Sequence, residues 1–425
     1  MACAPIRASL FTGLYSDSHG MTENQTTLDP PDHPVLCEHL AGAGYDTALV
    51  GKLHLKPMSR DFGFRYCLRH DAPYTSYSEG EARDSAYLRY LGETAYRDDP
   101  EEAIRLFTDD EDSQHTDEQR FMLGSGFLDE EHHEVSWAVR ESIHYLRHER
   151  PADRPFFLNC SFFGPHQPYL CPSPWDALYP PDEIPLPDDF HYPVHDKPLF
   201  ASSEQMNWLE RRDRLGWDES TYRRLLSAYY GYVSMIDAGV GQLLATLREE
   251  GLYDDTLIVF TADHGDFGGQ FRAFYKGLPY EASCHVPMIV RDPRAEAGGR
   301  RCDRNTSNID LFTTFLSAAG VESPAGSESR DLAAITRDDV ADWDNACFWK
   351  KGHQSFIVRD DDKLVRGQVE ANVVYELYDL AVDPLEERNL IDEPSRLATI
   401  NALRDELDLW HEAQDERGRL RVAKG

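Results

Sequence analysis

Apolar residues in this chain occur either in short continuous runs or in longer stretches with helical spacing. The continuous runs have the length of strands and lie at 45–50, 155–163, 256–262 and 286–290. Helical spacing is found at 133–148, 220–250 and 310–319. Because strands alternate with helices and most of the runs are apolar throughout, the pattern predicts an α/β fold. Its central sheet should be mostly parallel, or mixed, and flanked by helices.

Capping residues mark the ends of two predicted helices. Ser220 is predicted to cap the second helix at its N-terminus, and Gly320 is predicted to end the third. Two Pro- and acid-rich segments, 71–119 and 171–213, interrupt the alternation and are predicted to be irregular. Such insertions often carry substrate-recognition loops, and solvated acidic loops are the alternative.

Toward the C-terminus the pattern changes to short strands. Segments 348–364 and 375–380 are typical of antiparallel strands, and 395–410 has the spacing of an amphipathic helix. We therefore predict two domains, a large α/β domain over 1–330 and a small α+β domain over 331–425.

The charge of the chain narrows the classes of partner. Its 425 residues carry 43 basic and 76 acidic side chains, a formal net charge of −33, which argues against nucleic-acid binding. Only eight residues are lysine. A lysine-poor acidic surface is typical of a halophile, with an ordinary acidic protein as an equal alternative. The sequence shows no membrane-spanning run and no leader, so we predict a cytoplasmic location without membrane contact.

The eight cysteines form no Cys-x-x-Cys pair, and most are predicted to be reduced. Cys3 is the exception, because its position suggests chemistry. It precedes Pro5, which can start a helix that Gly13 ends. A thiol just before a positive helix end, with Arg7 one turn further on, suits a nucleophile that acts on an oxyanion. An incidental cysteine beside a helix is the alternative.

Two motifs place a basic or titratable side chain at the end of a predicted strand. In Gly-Lys-Leu-His, Lys52 and His54 should face the same side if the segment is extended, which suits an anionic substrate and proton transfer. In Gly-Pro-His-Gln-Pro, His166 lies where α/β folds place their sites. The alternatives are a surface lysine beside a half-buried histidine, and an exposed histidine in a rigid turn.

Two further motifs follow the third strand. Asp263 and His264 offer one carboxylate oxygen and one imidazole nitrogen, both suited to a divalent metal. Lys276 is one of the few lysines and lies in the loop that leads to the fourth strand. A strand-end turn with a capping aspartate and a solvated lysine are the alternatives.

The segment from Cys3 to Gly13 resembles the signature of the sulfatase family, formylglycine-dependent enzymes of the alkaline-phosphatase-like superfamily. The motifs around Lys52, His166 and Asp263 are similar to the other motifs of that family. In that family a formylglycine-generating enzyme oxidises the signature cysteine, here Cys3, to formylglycine. One hydroxyl of the aldehyde hydrate, bound to a divalent metal, attacks sulfur, and the other releases the sulfate.

The resemblance also implies roles for the other site residues. Arg7 would orient the formylglycine, and Lys52, His166 and Lys276 would bind the sulfate. His54 would act as the base for the hydrate or as the acid for the leaving alcohol.

The metal ligands that the resemblance implies are the modified Cys3, Asp263 and His264. A histidine after the aspartate is similar to the branch that holds choline sulfatases and phosphonate monoester hydrolases. This similarity implies one divalent cation, Ca²⁺ or Mn²⁺.

One departure from the family pattern concerns the metal site. Sulfatases normally have a strand ending in paired aspartates a few dozen residues before the signature cysteine, and only two residues precede Cys3 here. Either the sequence is a fragment of a longer protein, which we expect, or the chain is a degenerate homologue. In both cases the first strand would be missing from the sheet.

We therefore expect a sulfuric ester hydrolase that acts on a small-molecule or carbohydrate sulfate ester. A phosphonate monoester or phosphodiester hydrolase would use the same residues. An inactive homologue that binds no metal is the alternative from a different class.

Overall fold

A computed structural model describes residues 3–28, 34–71, 79–107, 128–295, 298–337 and 343–424. The chain forms two compact units. The first comprises segments 1–36, 187–216 and 257–425, and the second comprises segments 37–186 and 217–256. Each unit is described by itself below.

The second unit is built on a parallel sheet of three strands in the order β2-β1-β3. The strands are β1 (Asp46–Gly51), β2 (Tyr66–Arg69) and β3 (Phe156–Ser161). Every residue of the central strand β1 is buried, whereas those of β3 are only half-buried. The predicted parallel arrangement is confirmed for these strands. The apolar run at 155–163 forms β3, which is buried less completely than β1.

Helices of the second unit include one long element. Their bounds are α3 (Leu36–Gly42), α4 (Glu79–Asp84), α5 (Ala86–Glu93), α6 (Pro100–Phe107), α7 (Glu134–His144, continued by a π turn over Tyr145–Glu149) and α10 (Glu219–Glu249). Helix α10 begins one residue before the predicted start. Asp218 caps it by accepting from the Thr221 N–H, so the predicted cap at Ser220 is wrong. A carboxylate satisfies the free N–H groups at least as well as a hydroxyl.

The first insertion is more regular than predicted. Helices α4, α5 and α6 lie within 71–119, while residues 72–78 and 108–119 are outside the described residues. Ser85 caps α5, and the buried face of this helix (Tyr87, Leu88) packs with Trp137. The segment is acidic, and its apolar residues form only a narrow stripe. This stripe is sufficient for a helix because it packs against the rest of the unit.

The first unit contains a two-stranded ladder, β4 (Ile258–Thr261) and β5 (Met288–Arg291), and the strands are antiparallel. Val259 and Met288 pack beside helix α12 (Asp310–Ala318), whereas their neighbours Phe260 and Ile289 are 39% and 64% exposed. The predicted burial of these two runs therefore holds for one face only. Apolar runs identify strands without specifying their direction or how many faces are covered.

Helices of very different lengths accompany this ladder. The helices of the first unit are α1 (Cys3–Thr12), α2 (Ser16–His19), α8 (Pro198–Ala201), α9 (Glu204–Arg214), α11 (Glu281–Cys284), α12 (Asp310–Ala318), α13 (Ala333–Thr336) and α14 (Leu397–Lys424). The predicted ends of α1 and α12 are confirmed, because Gly13 and Gly320 follow them with φ of 66° and 70°. Part of the second insertion, 171–213, is likewise helical in α8 and α9.

The C-terminal part of the first unit is an antiparallel sheet in the order β6-β7-β8-β9. The strands are β6 (Ala346–Lys351), β7 (Gln354–Arg359), β8 (Asp362–Val369) and β9 (Asn372–Asp379). One face packs on helix α14, which is longer than predicted, and the predicted antiparallel strands are confirmed. The domain boundary at residue 331 stays a prediction.

The described residues also bear on disulfides and on membrane-spanning helices. All eight cysteines are described and none is in a disulfide, as predicted. Among the described residues, no helix has the length and apolar character needed to cross a bilayer.

Gly51 should be intolerant of a side chain. It has φ of 97°, and a Cβ at this position would lie 2.0 Å from the carbonyl oxygen of Ser161. We expect Gly51→Ala to destabilise the fold by about 2–3 kcal/mol in urea unfolding followed by circular dichroism, because backbone atoms must move. Gly241→Ala is the matched control, since Gly241 lies exposed in α10 with open space around its Cα. Equal stability of the two variants would contradict the prediction.

Candidate active site

Cys3 is the first described residue of α1, not a residue before the helix as predicted. Its side chain is buried, and its Sγ lies 3.0 Å from His264 Nε2. The N–H of Ala4 donates to Asn24 Oδ1 over 3.1 Å, so a side chain satisfies one free donor of the helix start. Asn24 was not predicted, because it lies in an irregular segment without a motif.

His264 is oriented by its second ring nitrogen. Nδ1 lies 2.8 Å from the carbonyl oxygen of Gly265, which only accepts, so Nδ1 carries the proton. In the neutral ring, Nε2 is then the acceptor and faces Cys3. This is the tautomer that a metal ligand requires.

Asp263 links the signature helix to the end of β4. Its Oδ2 accepts from Arg7 Nε over 2.9 Å, and its Oδ1 accepts from the His264 N–H over 3.1 Å. The predicted return of Arg7 toward the site is therefore present as an ion pair with Asp263. Both side chains are largely buried, at 12% and 15% exposure, which limits screening by solvent.

The three predicted metal ligands lie together. The ligand atoms of Cys3, Asp263 and His264 are all within 4.8 Å of one another. A carboxylate oxygen, an imidazole lone pair and an oxygen in place of Sγ form a donor set that suits a divalent cation. These residues therefore fit the metal site that the family resemblance implies.

Asn308 fixes the strand end that carries the ligands. Its Nδ2 donates to the Ala262 carbonyl over 2.8 Å, and its Oδ1 accepts from Thr261 Oγ1 over 3.2 Å. Asn308 was not predicted as a site residue. Nothing in the local sequence shows that its amide reaches β4, because the two lie more than forty residues apart.

The loop that carries Lys276 is closed by its own polar groups. Buried Asp266 accepts from the N–H groups of Gly268 and Tyr275 over 2.9 and 3.2 Å. Burial raises the pKa of Asp266, and these N–H donors and the positive charge of Lys276 oppose that rise. Asp266 thereby ties the metal-ligand segment to the lysine segment, a role that its place in the motif did not reveal.

The second unit carries Lys52 and His54, but not in the extended segment that was predicted. β1 ends at Gly51, and His54 has φ of 57°, so the expected alternation of side chains is wrong here. Asp71 accepts from the N–H groups of Leu53 and His54 over 2.7 and 2.9 Å, which holds this turn.

Asp71 is a further residue that sequence reasoning missed. Burial favours its neutral form, but the adjacent charge of Arg69 and the two N–H donors outweigh this effect and lower the pKa of Asp71. Lys52 is 2% exposed, with Nζ 4.8 Å from the centroid of the Phe163 ring. The Gly-Lys-Leu-His turn therefore contains a buried lysine and is held by a buried carboxylate.

His166 is half-buried rather than exposed. Its Nδ1 lies 2.6 Å from the Gln167 carbonyl, and its ring is 4.8 Å from that of Phe163. Glu134 fixes the same loop by accepting from the Gly164 N–H over 3.0 Å and from Tyr232 Oη over 2.9 Å. This position argues against the alternative of a solvated turn.

The site residues thus fall into two groups, one in each unit. Cys3, Arg7, Asp263, His264 and Lys276 belong to the first unit, and the structure brings the metal-ligand trio together. Lys52, His54 and His166 belong to the second unit, where each lies in a loop held by buried polar groups.

Comparison with known proteins agrees with this geometry. The sulfatase family model matches residues 1–321, and a model described as N-sulphoglucosamine sulphohydrolase, C-terminal, matches residues 269–413. The chain therefore belongs to the sulfatase family, whose members are sulfuric ester hydrolases that generally use a divalent metal and formylglycine.

Individual relatives cover most of the chain. An arylsulfatase of Clostridium perfringens is 27% identical over 98% of this chain and 85% of its own length. A choline-sulfatase of Rhizobium meliloti is 27% identical over 95% of this chain and 76% of its own. The structure of a phosphonate monoester hydrolase from Silicibacter pomeroyi superposes with a TM-score of 0.76 at 22% identity, over 97% of this chain and 86% of that one. This last likeness confirms the α/β fold.

Proposed function

We propose that this protein hydrolyses a sulfate monoester through a formylglycine formed from Cys3. The observation that supports the proposal is the position of Cys3 Sγ, 3.0 Å from His264 Nε2 and within 4.8 Å of a ligand oxygen of Asp263. A nucleophile at this point would share its site with a divalent cation. A formylglycine-generating enzyme would act on the chain during maturation.

The residues around Cys3 are suited to holding Ca²⁺ or Mn²⁺. Asp263 supplies a hard oxygen, which suits both ions, and His264 supplies a nitrogen, which favours the softer Mn²⁺. When bound, the cation would supply charge stabilisation to the transferring sulfate. Arg7 neutralises Asp263 from the opposite side and fixes its orientation.

Cationic and titratable side chains supply the remaining roles. We assign sulfate binding to Lys276 in the first unit and to Lys52 and His166 in the second, because a sulfate ester needs charge-assisted donors. His54 is assigned to proton transfer. Its Nδ1 is buried and has no hydrogen-bond partner among the described residues, an arrangement that a bound substrate group would relieve.

A phosphonate monoester hydrolase is the second candidate function. It is favoured by the Asp263–His264 pair and by the structural likeness to the Silicibacter pomeroyi enzyme. Aryl sulfates and aryl phosphonates differ in charge and geometry at the reacting atom, so relative rates separate the two functions.

We also propose that the natural substrate is a small-molecule or carbohydrate sulfate ester, and that the protein works in a cytoplasmic, halophilic setting.

The test uses the full-length protein produced together with a formylglycine-generating enzyme. Mass spectrometry of the peptide that contains Cys3 should show an aldehyde in place of the thiol. The protein should hydrolyse 4-nitrophenyl sulfate faster than 4-nitrophenyl phenylphosphonate, and a chelator should abolish the activity until Ca²⁺ or Mn²⁺ is restored. An unmodified thiol in an active protein would contradict the mechanism, and absence of both metal and activity would favour the inactive homologue.

A further inference from the structure

The turn between β6 and β7 places positive charge at one end of the C-terminal sheet. Lys350 and Lys351 stand side by side before Gly352, and His353 follows. The whole chain has only eight lysines and a net charge of −33, so two adjacent lysines are unusual for this protein. Lys350 forms an ion pair with Asp17. The side chain of Lys351 has no ion pair or hydrogen bond with any residue that the structure describes.

Strand alternation sends the two lysines to opposite faces of the sheet. Trp349 and Lys351 share one face, on which Trp349 pairs with Phe356 across the strands. Phe356 belongs to a buried apolar cluster that also contains Leu278 and Tyr280, which lie just after Lys276 in the chain, and Trp349 packs against this cluster. Lys351 therefore lies on the face of the sheet that covers the Lys276 loop.

The contact with that loop is close. A Cβ placed on Gly277 would lie 3.8 Å from Lys351 Nζ, and Gly277 directly follows Lys276. The Gly277 N–H is itself engaged by Ser283 Oγ at 3.3 Å, so the loop is anchored where the lysine approaches. A half-buried cation without a carboxylate partner, beside a second lysine segment, is a position that an anion would stabilise.

We propose that Lys351 is a specificity residue that binds a second anionic group of the substrate. The preferred substrates are then saccharides that carry a carboxylate or a second sulfate next to the scissile sulfate ester. This inference rests on the proposed sulfatase function and extends it to the substrate class.

Cationic side chains also lie on the opposite face at this end of the sheet. The opposite face holds a pocket of about 220 Å³ lined by Lys350, Arg366, His411 and Asp415 among others. The side chain of Arg366 has no ion pair or hydrogen bond with described residues. Burial, the charge of Lys350 and the charge of Arg366 all lower the pKa of His411. A protein as acidic as this one repels polyanions at long range, so it needs local cations to bind one.

Binding measurements in a Cys3→Ala background test the proposal without turnover. Two probes carry the same 6-O-sulfate: glucosamine-2-N,6-O-disulfate, and N-acetylglucosamine-6-sulfate, in which a neutral group replaces the N-sulfate. Titration calorimetry should show that the background protein binds the disulfate about tenfold more tightly, as one charge-assisted contact provides. Lys351→Met should remove this preference and leave the affinity for the monosulfate unchanged, while Lys351→Arg should keep most of it.

Arg301→Met is the matched control, because it removes one positive charge from a residue whose side chain is 91% exposed. It should leave the preference intact. The proposal is overturned if the background protein does not bind the disulfate more tightly, or if Lys351→Met lowers the affinity for both probes equally. Failure of the sulfatase function is recognised separately, as absence of 4-nitrophenyl sulfate hydrolysis in the protein that retains Cys3.

Discussion

Replacing Cys3 with alanine should lower kcat/KM for 4-nitrophenyl sulfate by at least about 10⁴-fold, because no other group can supply the nucleophile. Cys3 Sγ is the side-chain atom of α1 that faces His264 Nε2. Removing it leaves the ion pair between Arg7 and Asp263 in place, so the fold and the rest of the site should persist. The loss should therefore be in catalysis and not in stability.

Cys302→Ala is the control for this variant. Cys302 is exposed, so its replacement should change neither the activity nor the free energy of unfolding. Steady-state kinetics and thermal unfolding of the three proteins provide the comparison. If Cys3→Ala kept more than about a hundredth of the activity, catalysis would have to come from other residues, and the oxyanion-binding groups alone would be sufficient.

The sequence allowed the chemistry to be predicted better than the backbone that carries it. The side chains that supply the chemistry are part of the motifs at Cys3 and Asp263. The structure brings these two segments together although they are 260 residues apart. Residue type was sufficient here, because a metal site needs particular donors and only a few positions offer them.

Backbone-dependent features were beyond prediction. The left-handed conformation of His54 depends on Asp71, which binds two consecutive N–H groups from a distant segment. The antiparallel pairing of β4 with β5 depends on the route of the chain between them, which apolar patterning does not encode. Buried partners such as Asn308 were missed for the same reason, since long-range hydrogen bonds have no local periodicity.

The loop of Lys276 depends on a buried ion cluster that links it to the C-terminal sheet. Lys363 Nζ lies 2.8 Å from Glu281 Oε1 and 2.8 Å from Glu386 Oε1, and the side chain of Lys363 is fully buried. Burial works against the charged form, but the two carboxylates outweigh it and raise the pKa of Lys363. One cation therefore serves two carboxylates, and Glu281 lies only five residues after Lys276.

Lys363→Met should destabilise the protein by about 3–5 kcal/mol, because it leaves two buried carboxylates without their counter-charge. The double variant Lys363→Met with Glu386→Gln should recover part of this loss, since one of the two charges is then removed. Arg388→Met is the surface control. Its ion pair with Glu393 is largely exposed, so its loss should cost at most about 0.5 kcal/mol. Urea unfolding of the four proteins measures these differences, and a cost below about 1 kcal/mol for Lys363→Met would show that the cluster is not stabilising.

The same cluster predicts a pH dependence. Burial raises the pKa of Glu386 to about 7, above its ordinary value of 4.5, and Lys363 opposes that rise. The native state then binds a proton that the unfolded state releases, so this contribution to the free energy of unfolding is full below pH 4.5 and is lost as the pH rises to about 7. Without Lys363 the pKa of Glu386 should rise further, and the loss should continue to higher pH. Between pH 5 and 9 the free energy of unfolding of Lys363→Met should therefore decline more steeply than that of the unmodified protein. Parallel profiles would show that Lys363 does not influence the pKa of Glu386.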